Sequence, residues 1–270
     1  MMLDFYDVIA EFYDQFQDFD ASRLPELWAE FLDQEFKRTI SNLQKDNVES
    51  HDTGDLLALD LGCGTGSVTL AMADRGWKVI GVDNSSEMLE IANSKIVRND
   101  SESVKTRSFQ AEFILDDICD LDLDERVDLI YTSLDVFNHL DEVEIVQVLQ
   151  KSCKLLKNKG ILIFDLHSLD YMQDDLGNNI YHSVTDDYVI IWENDFSDSD
   201  LINEATITTF KRETDGRYIR KDSSLLEYYH YPNLIKEYLE FIGMSVEFIE
   251  NAEFTDMWDG KRIFIKATKI

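Results

Sequence analysis

LLALDLGCGTG, running from Leu56 to Gly66, decides the fold. The apolar run Leu56, Leu57, Ala58 and Leu59 leads into Asp60, and three alternating glycines follow: Gly62, Gly64 and Gly66. Behind them Val68, Ala71 and Met72 recur at helical spacing. A short apolar run, a glycine-rich turn and a helical pattern read as strand, tight turn and helix. Glycine serves where the backbone takes positive φ, or where a ligand must approach the main chain without a Cβ in the way. The helix behind the turn offers unpaired N–H groups to whatever lies in it. The segment announces a nucleotide-like ligand.

Outward from this turn the same theme repeats. Strands are expected at 56–60, 78–83 (KVIGVD), about 109–115, 127–132 (VDLIYT) and 161–165 (ILIFD), with helices at about 66–75, 85–97 and 142–157. Asn84 or Ser85 is placed to cap the second helix, with Glu87 set for a capping box from Asn84. Asp141, with Glu144 three residues on, opens the third helix; lysines near its end suit the helix dipole, and Gly160 is expected to stop it. Repeated strand–helix alternation implies a Rossmann-like α/β fold: a mostly parallel sheet with helices on both faces.

Residues 4–50 read as helices. Phe5, Ile9, Phe12, Tyr13 and Phe16 share helical spacing, as do Leu24, Leu27, Trp28, Phe31, Leu32 and Phe36, with Pro25 in a first turn. Residues 41–54 are polar and expected to be loop. After Leu169 the pattern changes to antiparallel strands, about three of them, at 188–196, 204–213 and 217–229, with Asp215-Gly216 as a two-residue hairpin signal. A helix at 233–242 ended by Gly243, and strands at 244–250 and 261–268, return to the α/β theme. The expected organisation is therefore a helical lid (1–50), a ligand-binding core (51–168), an antiparallel β insert (169–231) and the end of the core (232–270), including an antiparallel last strand.

The chain has 270 residues, 44% of them hydrophobic, and a formal net charge of −30. That field repels phosphate backbones and anionic membranes, so DNA and membrane partners are not expected. Cys63, Cys119 and Cys153 are odd in number, scattered and set among apolar residues, which fits free thiols. No Cys/His cluster has zinc spacing, so no metal is expected. The acidic start MMLDFYDVIAEFYD lacks the basic region of a signal peptide, and no apolar run has membrane-spanning length. A cytoplasmic location is expected, and the oligomeric state is not readable.

Three ligands compete for the glycine turn. A P-loop needs a lysine after its glycines, and none follows here. A dinucleotide site prefers GxGxxG, with its last glycine one residue later than Gly66. The third is S-adenosylmethionine. Here Asp60, Gly62, Gly64 and Gly66 match (D/E)xGxGxG, Asp83 closes the second strand in GVDNSSEML, ILDDICDLDL offers Asp116 and Asp117 after the third, and YTSLDVFNHL follows the fourth. In these four segments the chain resembles the class I S-adenosylmethionine-dependent methyltransferases, over about residues 50–168. The opening Tyr6, Ala10, Tyr13 and Asp14, the SLDVFNHL segment and the WENDF strand resemble more narrowly a bacterial and archaeal small-molecule-type subgroup with an antiparallel insert after the fifth strand.

The resemblance implies roles. Asp83 would accept the ribose hydroxyls and Asp117 the adenine amino group, with Ile118 against the ring. Asp60 would lie near the methionine amino group, and turn N–H groups would take its carboxylate. Tyr13 would cover the methionyl moiety, although it also reads as a core aromatic. Cys63, Asn84, Met88 and Ser133 complete the expected cofactor surroundings. His139 is a candidate general base, and Asp135 and Asn138 stand near the same strand end. His167 and an insert cluster of Arg220, Glu227, Tyr228, Tyr229, His230 and Tyr231 are further candidates for the acceptor pocket, though they suit ordinary structural roles too. The (N/D)PP(Y/F) tetrapeptide of amino-methyltransferases acting on adenine or glutamine is missing. The expected activity is methyl transfer to N or O of a small molecule. The alternatives are a protein or tRNA acceptor, or a non-catalytic module that binds the cofactor.

Overall fold

The computed structural model describes residues 5–17, 23–45, 56–101, 110–250 and 253–270. Two helices come first, α1 (Phe5–Phe16) and α2 (Leu24–Lys45). The core then runs β1 (Leu57–Leu61), α3 (Ser67–Asp74), β2 (Lys78–Asp83), α4 (Ser86–Ser101), β3 (Ala111–Leu115), β4 (Val127–Tyr131), α5 (Glu142–Leu155) and β5 (Leu156–His167). Four strands follow, β6 (Ile180–Val184), β7 (Tyr188–Ser197), β8 (Ile202–Arg212) and β9 (Tyr218–Tyr228). The chain closes with α6 (Pro232–Phe241), β10 (Met244–Ile249), the single turn α7 (Glu253–Asp256) and β11 (Arg262–Lys269).

Seven strands form one sheet in the order β10-β11-β5-β4-β1-β2-β3. β1 to β5 pair in parallel, whereas β11 runs antiparallel to β5 and to β10. Every residue of β1 and β4 is buried, as central strands covered on both faces require. One face packs against α5 and α6 through Ile145, Leu149, Ile235 and Leu239. The other packs against α2 and α3 through Trp28, Leu32, Phe36, Val68 and Met72. Strand order reverses between β1 and β4, and ligand crevices form at such switch points, outside the carboxyl ends of the strands.

The insert is a separate four-stranded antiparallel sheet, β6-β7-β8-β9. The expected three strands become four because β6 pairs along the edge of β7 although its face is mostly exposed, so it carries little apolar signal. The hairpin at Asp215-Gly216 has three loop residues, not two. Gly216 N donates to Glu213 O and Glu213 N to Arg217 O, with Gly216 at φ +86°, the pattern of a type I turn closed by a glycine bulge. Helix α1 bridges core and insert: Val8, Ile9 and Phe12 cluster with Met88 of α4 and with Tyr188, Ile190 and Ile207 of the insert.

Other expectations need correction. Helix α5 ends at Leu155, and Gly160 lies inside β5 rather than stopping the helix. A Cβ on Gly160 would stand 2.9 Å from Lys157 O and 3.2 Å from Asp128 O, so close backbone approach at a strand irregularity explains the glycine. The cap of α4 is Ser85, whose hydroxyl accepts from Met88 N at 3.1 Å, and Glu87 instead accepts from the Ser86 hydroxyl. Helix α2 continues through Lys45, so residues 41–45 of the expected 41–54 loop are helical, and the rest of it, 46–54, lies outside the described residues, as does residue 109. The Asp141–Glu144 capping box is present.

Candidate functional site

The glycine turn links β1 to α3, with Gly62, Gly64 and Gly66 all at positive φ (+72°, +53° and +72°). The three glycines answer different demands. A Cβ on Gly62 would stand 2.6 Å from the Val136 side chain, and one on Gly66 2.5 Å from Phe113. A Cβ on Gly64 would meet nothing within 4 Å, because Gly64 faces an open cleft. Gly64 N donates to Asp83 Oδ2 at 2.7 Å, and Ser85 N to Asp83 Oδ1 at 2.9 Å, so the carboxylate at the end of β2 is fixed against the turn. Each carboxylate oxygen has two lone-pair directions, so these bonds leave acceptor capacity for a ligand.

The cleft has a volume of about 670 Å³. Of the residues expected around a cofactor, the structure gathers Tyr13, Gly62, Gly64, Asp83, Asn84, Met88, Asp117, Ile118 and Ser133 on its walls. Asp117 is held by Cys119 N, which donates to its Oδ1 at 2.8 Å. Asp60, Cys63 and Gly66 are not wall residues. Asp60 is fully buried under the turn, where Thr69 Oγ1 donates to its Oδ2 at 2.6 Å while Oδ1 has no hydrogen-bond partner. Burial pushes the Asp60 carboxyl up to about 7, against the pull of the Thr69 and Tyr131 hydroxyls and with a further push from Asp83. Cys63 is buried beside Gly81, and burial raises its thiol well above the ordinary range.

Helix α1 covers the cleft through Phe5, Tyr6 and Tyr13. Its acids tie it down. Asp14 accepts from Thr65 Oγ1 at 2.5 Å and pairs with Lys95 at 2.6 Å, and Ser85 Oγ donates to Asp7 at 2.7 Å. Lys95 also donates to Thr65 O and Ser67 Oγ. Helix α1 and the glycine turn are thereby coupled through four side chains.

Beyond the cleft lies a second cavity of about 480 Å³. The two share Phe5, Tyr6, Tyr13, Leu134, His139 and Leu225, and at that seam Tyr6 Oη and His139 Nε2 are hydrogen bonded at 2.8 Å. The far wall carries Asp135, His167, Glu227 and Arg262. Leu134 and Asp135 are consecutive non-glycine residues at positive φ (+63° and +61°), a strained turn that sets Asp135 toward the cavity. Asp135 Oδ1 pairs with Arg262 Nη2 at 2.6 Å, and Arg262 Nη1 donates to Asp165, a buried acid in the middle of the sheet. Burial alone would raise the Asp135 carboxyl, but His167, Arg262 and His139 outweigh it and hold it well below the usual range. Burial raises Asp165, against Arg262.

The remaining candidates divide. Asn138 is fully buried and structural: its amide donates to Tyr228 O, and its oxygen accepts from His167 N. His230 is buried against Phe137 O and Leu140 O at 3.0 Å. Arg220 turns to Asp222 on the insert surface. Tyr228 borders the cleft, while Tyr229 and Tyr231 pack on each other away from both cavities. Sequence reasoning missed Asp165 and Arg262. The available signal was the acid embedded in the apolar strand ILIFDLH, where burial demands a partner; Arg262, first in β11 and next to Lys261, offered none.

Comparison with known proteins fits this geometry. A family model described as "Methyltransferase domain" matches residues 58–160. A relative from Geobacillus sp. (strain WCH70) that carries a methyltransferase name is 30% identical over 215 residues, covering 78% of this chain and 83% of that protein. A second, YqeM of Bacillus subtilis (strain 168), is 27% identical with the same coverage. An S-adenosylmethionine-dependent methyltransferase from Clostridium acetobutylicum superposes with a TM-score of 0.72 at 24% identity, over 98% of this chain and 99% of its own. The sugar N-methyltransferase KedS8 from Streptoalloteichus superposes with a TM-score of 0.68 at 16% identity, over 95% and 92%.

Proposed function

The chain belongs to the class I S-adenosylmethionine-dependent methyltransferases, and from that premise we propose that it methylates nitrogen or oxygen of a small-molecule acceptor bound in the second cavity. The observation that carries this reading is the seam. A cleft with the residues that a donor needs adjoins, across Tyr6 and His139, a second space large enough for a small ligand.

The donor fits the first cleft on two counts. Gly64 leaves room for close approach to the main chain. Asp83 keeps acceptor capacity for a ribose diol, the role a carboxylate plays at this strand end in nucleotide sites. Asp60, buried under the turn and off the cleft wall, would act on the methionine ammonium from beneath the turn rather than by lining the cleft. When bound, S-adenosylmethionine supplies an electrophilic methyl carbon on a sulfonium. Asp117 and Ile118 would hold the adenine, and Tyr13 would cover the methionyl end. Transfer of this kind depends on alignment and on a deprotonated nucleophile. His139 borders both cavities with its Nε2 hydrogen bonded to Tyr6 Oη, so the Tyr6–His139 pair is placed to take an acceptor proton. Helix α1 would act as the lid that keeps water from the seam.

The walls around Asp135 support a small acceptor over a protein or tRNA. Asp135 and His167 are sunk behind α1 and the insert rather than set along a basic groove, and the net charge of −30 works against RNA. The presence of a second cavity speaks for catalysis over mere cofactor binding. The test is release of S-adenosylhomocysteine from S-adenosylmethionine in the presence of small amines and hydroxyl compounds, with bulk tRNA and unfolded protein as competitors. Turnover with a small compound supports the reading, and turnover with tRNA or protein alone contradicts it.

A further inference from the structure

We propose that the second cavity takes its acceptor as a protonated amine, with Glu227 and Asp135 receiving the ammonium and a ring-lined wall receiving its carbon skeleton. This rests on reading the first cleft as the donor site, and it narrows the acceptor atom to nitrogen.

Charge is the first ground. Asp135, Asp165 and Glu227 are three sequestered carboxylates, and among the described residues lining the cavity Arg262 is the one permanent cation. Arg262 is already divided between Asp135 and Asp165. Glu227, 2% exposed, accepts the neutral amide of Asn203 at 2.7 Å. Buried carboxylates need cationic partners; Asp135 has Arg262 and His167 beside it, whereas among the described residues Glu227 has no cation. The second ground is His167. It is 3% exposed and lines the cavity; its Nε2 is 3.3 Å from Asp135 Oδ1, yet neither ring nitrogen makes a hydrogen bond. Set behind Asp135, the imidazole helps keep that carboxylate charged and able to accept from an ammonium N–H. The third ground is the aromatic part of the lining, Phe5, Tyr6, Phe16, Tyr171, Tyr181 and Trp192. Aromatic faces attract ammonium groups and shelter their hydrocarbon.

Other occupants fit less well. Asp135, His167 and Glu227 each offer an atom within 4.8 Å of the others, a spacing open to a metal ion. However, Arg262 Nη2 and His167 Nε2 both approach the same oxygen, Asp135 Oδ1, so a divalent ion there would sit against the guanidinium. A carboxylate would face Asp135 and Glu227, and a hydroxyl would leave their charge unmatched. An ammonium adds one positive charge and several donors. For transfer it must lose a proton, which passes to His139. The freed nitrogen lone pair then forms the bond to the methyl carbon, and the pair of the broken carbon–sulfur bond stays on sulfur.

The experiment uses the full chain saturated with S-adenosylhomocysteine. Cyclohexylamine, cyclohexanol and cyclohexanecarboxylate, one skeleton with three head groups, are titrated by ligand-observed NMR, and metal content is measured on the same sample. The expected result is that the amine binds at least about tenfold more tightly than the other two, and that Glu227→Gln removes about that factor while calorimetric S-adenosylhomocysteine affinity is unchanged. Equal binding of the alcohol or acid, an amine affinity indifferent to Glu227→Gln, no amine binding, or a stoichiometric metal ion with no amine binding would each overturn the proposal. If Glu227→Gln fails to fold, the head-group comparison on the unaltered chain decides alone. Failure to bind S-adenosylhomocysteine would overturn the donor reading instead, so the two failures are distinct.

Discussion

Gly64 and Gly66, two residues apart, separate binding from folding. Gly64 is left-handed with open cleft where a Cβ would stand, so Gly64→Ala should weaken S-adenosylhomocysteine binding about tenfold or more and lower stability by only about 1 kcal/mol. Gly66→Ala drives a methyl group into Phe113 and Ala92 and should cost stability by more than Gly64→Ala does, as denaturant unfolding would measure. A reversed pattern would mean that the cleft does not use the turn. Asp60 gives a pH test. Its folded carboxyl is raised to about 7, well above the ordinary 3.8, so between those values the folded chain holds a proton that the unfolded chain has released. Stability from this group therefore falls as pH rises through that window. Asp60→Asn should lose less stability than the unaltered chain between pH 5 and pH 8; equal losses would contradict the assignment. The sequence made Asp83, Asn84 and Asp117 legible because a motif at a strand end points its side chains into the crevice. Asp60 sits before the strand end, under the turn, and no motif spacing reveals that depth. The Asp135–Arg262–Asp165 assembly was hidden for a different reason, since 127 and 97 residues of chain separate its ion pairs.

Helix α1 is the element that covers the cleft, through Phe5, Tyr6 and Tyr13. Asp14 joins it to Thr65 and Lys95 at the glycine turn. Asp14→Ala should accelerate release of S-adenosylhomocysteine in stopped-flow displacement by about tenfold and change thermal stability little, because the apolar contacts of Val8, Ile9 and Phe12 remain. An unchanged release rate would remove α1 from the gating role. The periodicity of α1 and α2 was plain because each buries one face, and the strands of the parallel sheet were plain because they are apolar throughout. Strand β6 was not, since an edge strand with an exposed face has no alternation to read. The three-residue hairpin and the glycine within β5 were misread for a shared reason. Glycine marks a departure from ordinary backbone, but only the packing shows whether positive φ or close approach is the cause.

At the scale of the molecule, two sheets and a bridging helix enclose adjoining cavities while the surface carries a net charge of −30. Self-repulsion on that surface opposes the folded state and is screened by salt. The thermal midpoint should rise by a few degrees between low and moderate sodium chloride; a fall would mean that ion pairs such as Lys211–Glu11 dominate the surface instead. Among the described residues, no helix is long and apolar enough to cross a membrane. The parallel core was legible because four motifs fall in order at strand ends, whereas how the insert closes over the fourth motif depends on contacts between distant segments that no local pattern encodes. The central claim is that the glycine turn and Asp83 together form the methyl-donor site. Calorimetric titration with S-adenosylhomocysteine tests it most directly: the account predicts one site per chain and a loss of at least about a hundredfold in affinity for Asp83→Ala in a protein that still melts cooperatively. Absence of binding to the unaltered chain, or undiminished binding to Asp83→Ala, would contradict it.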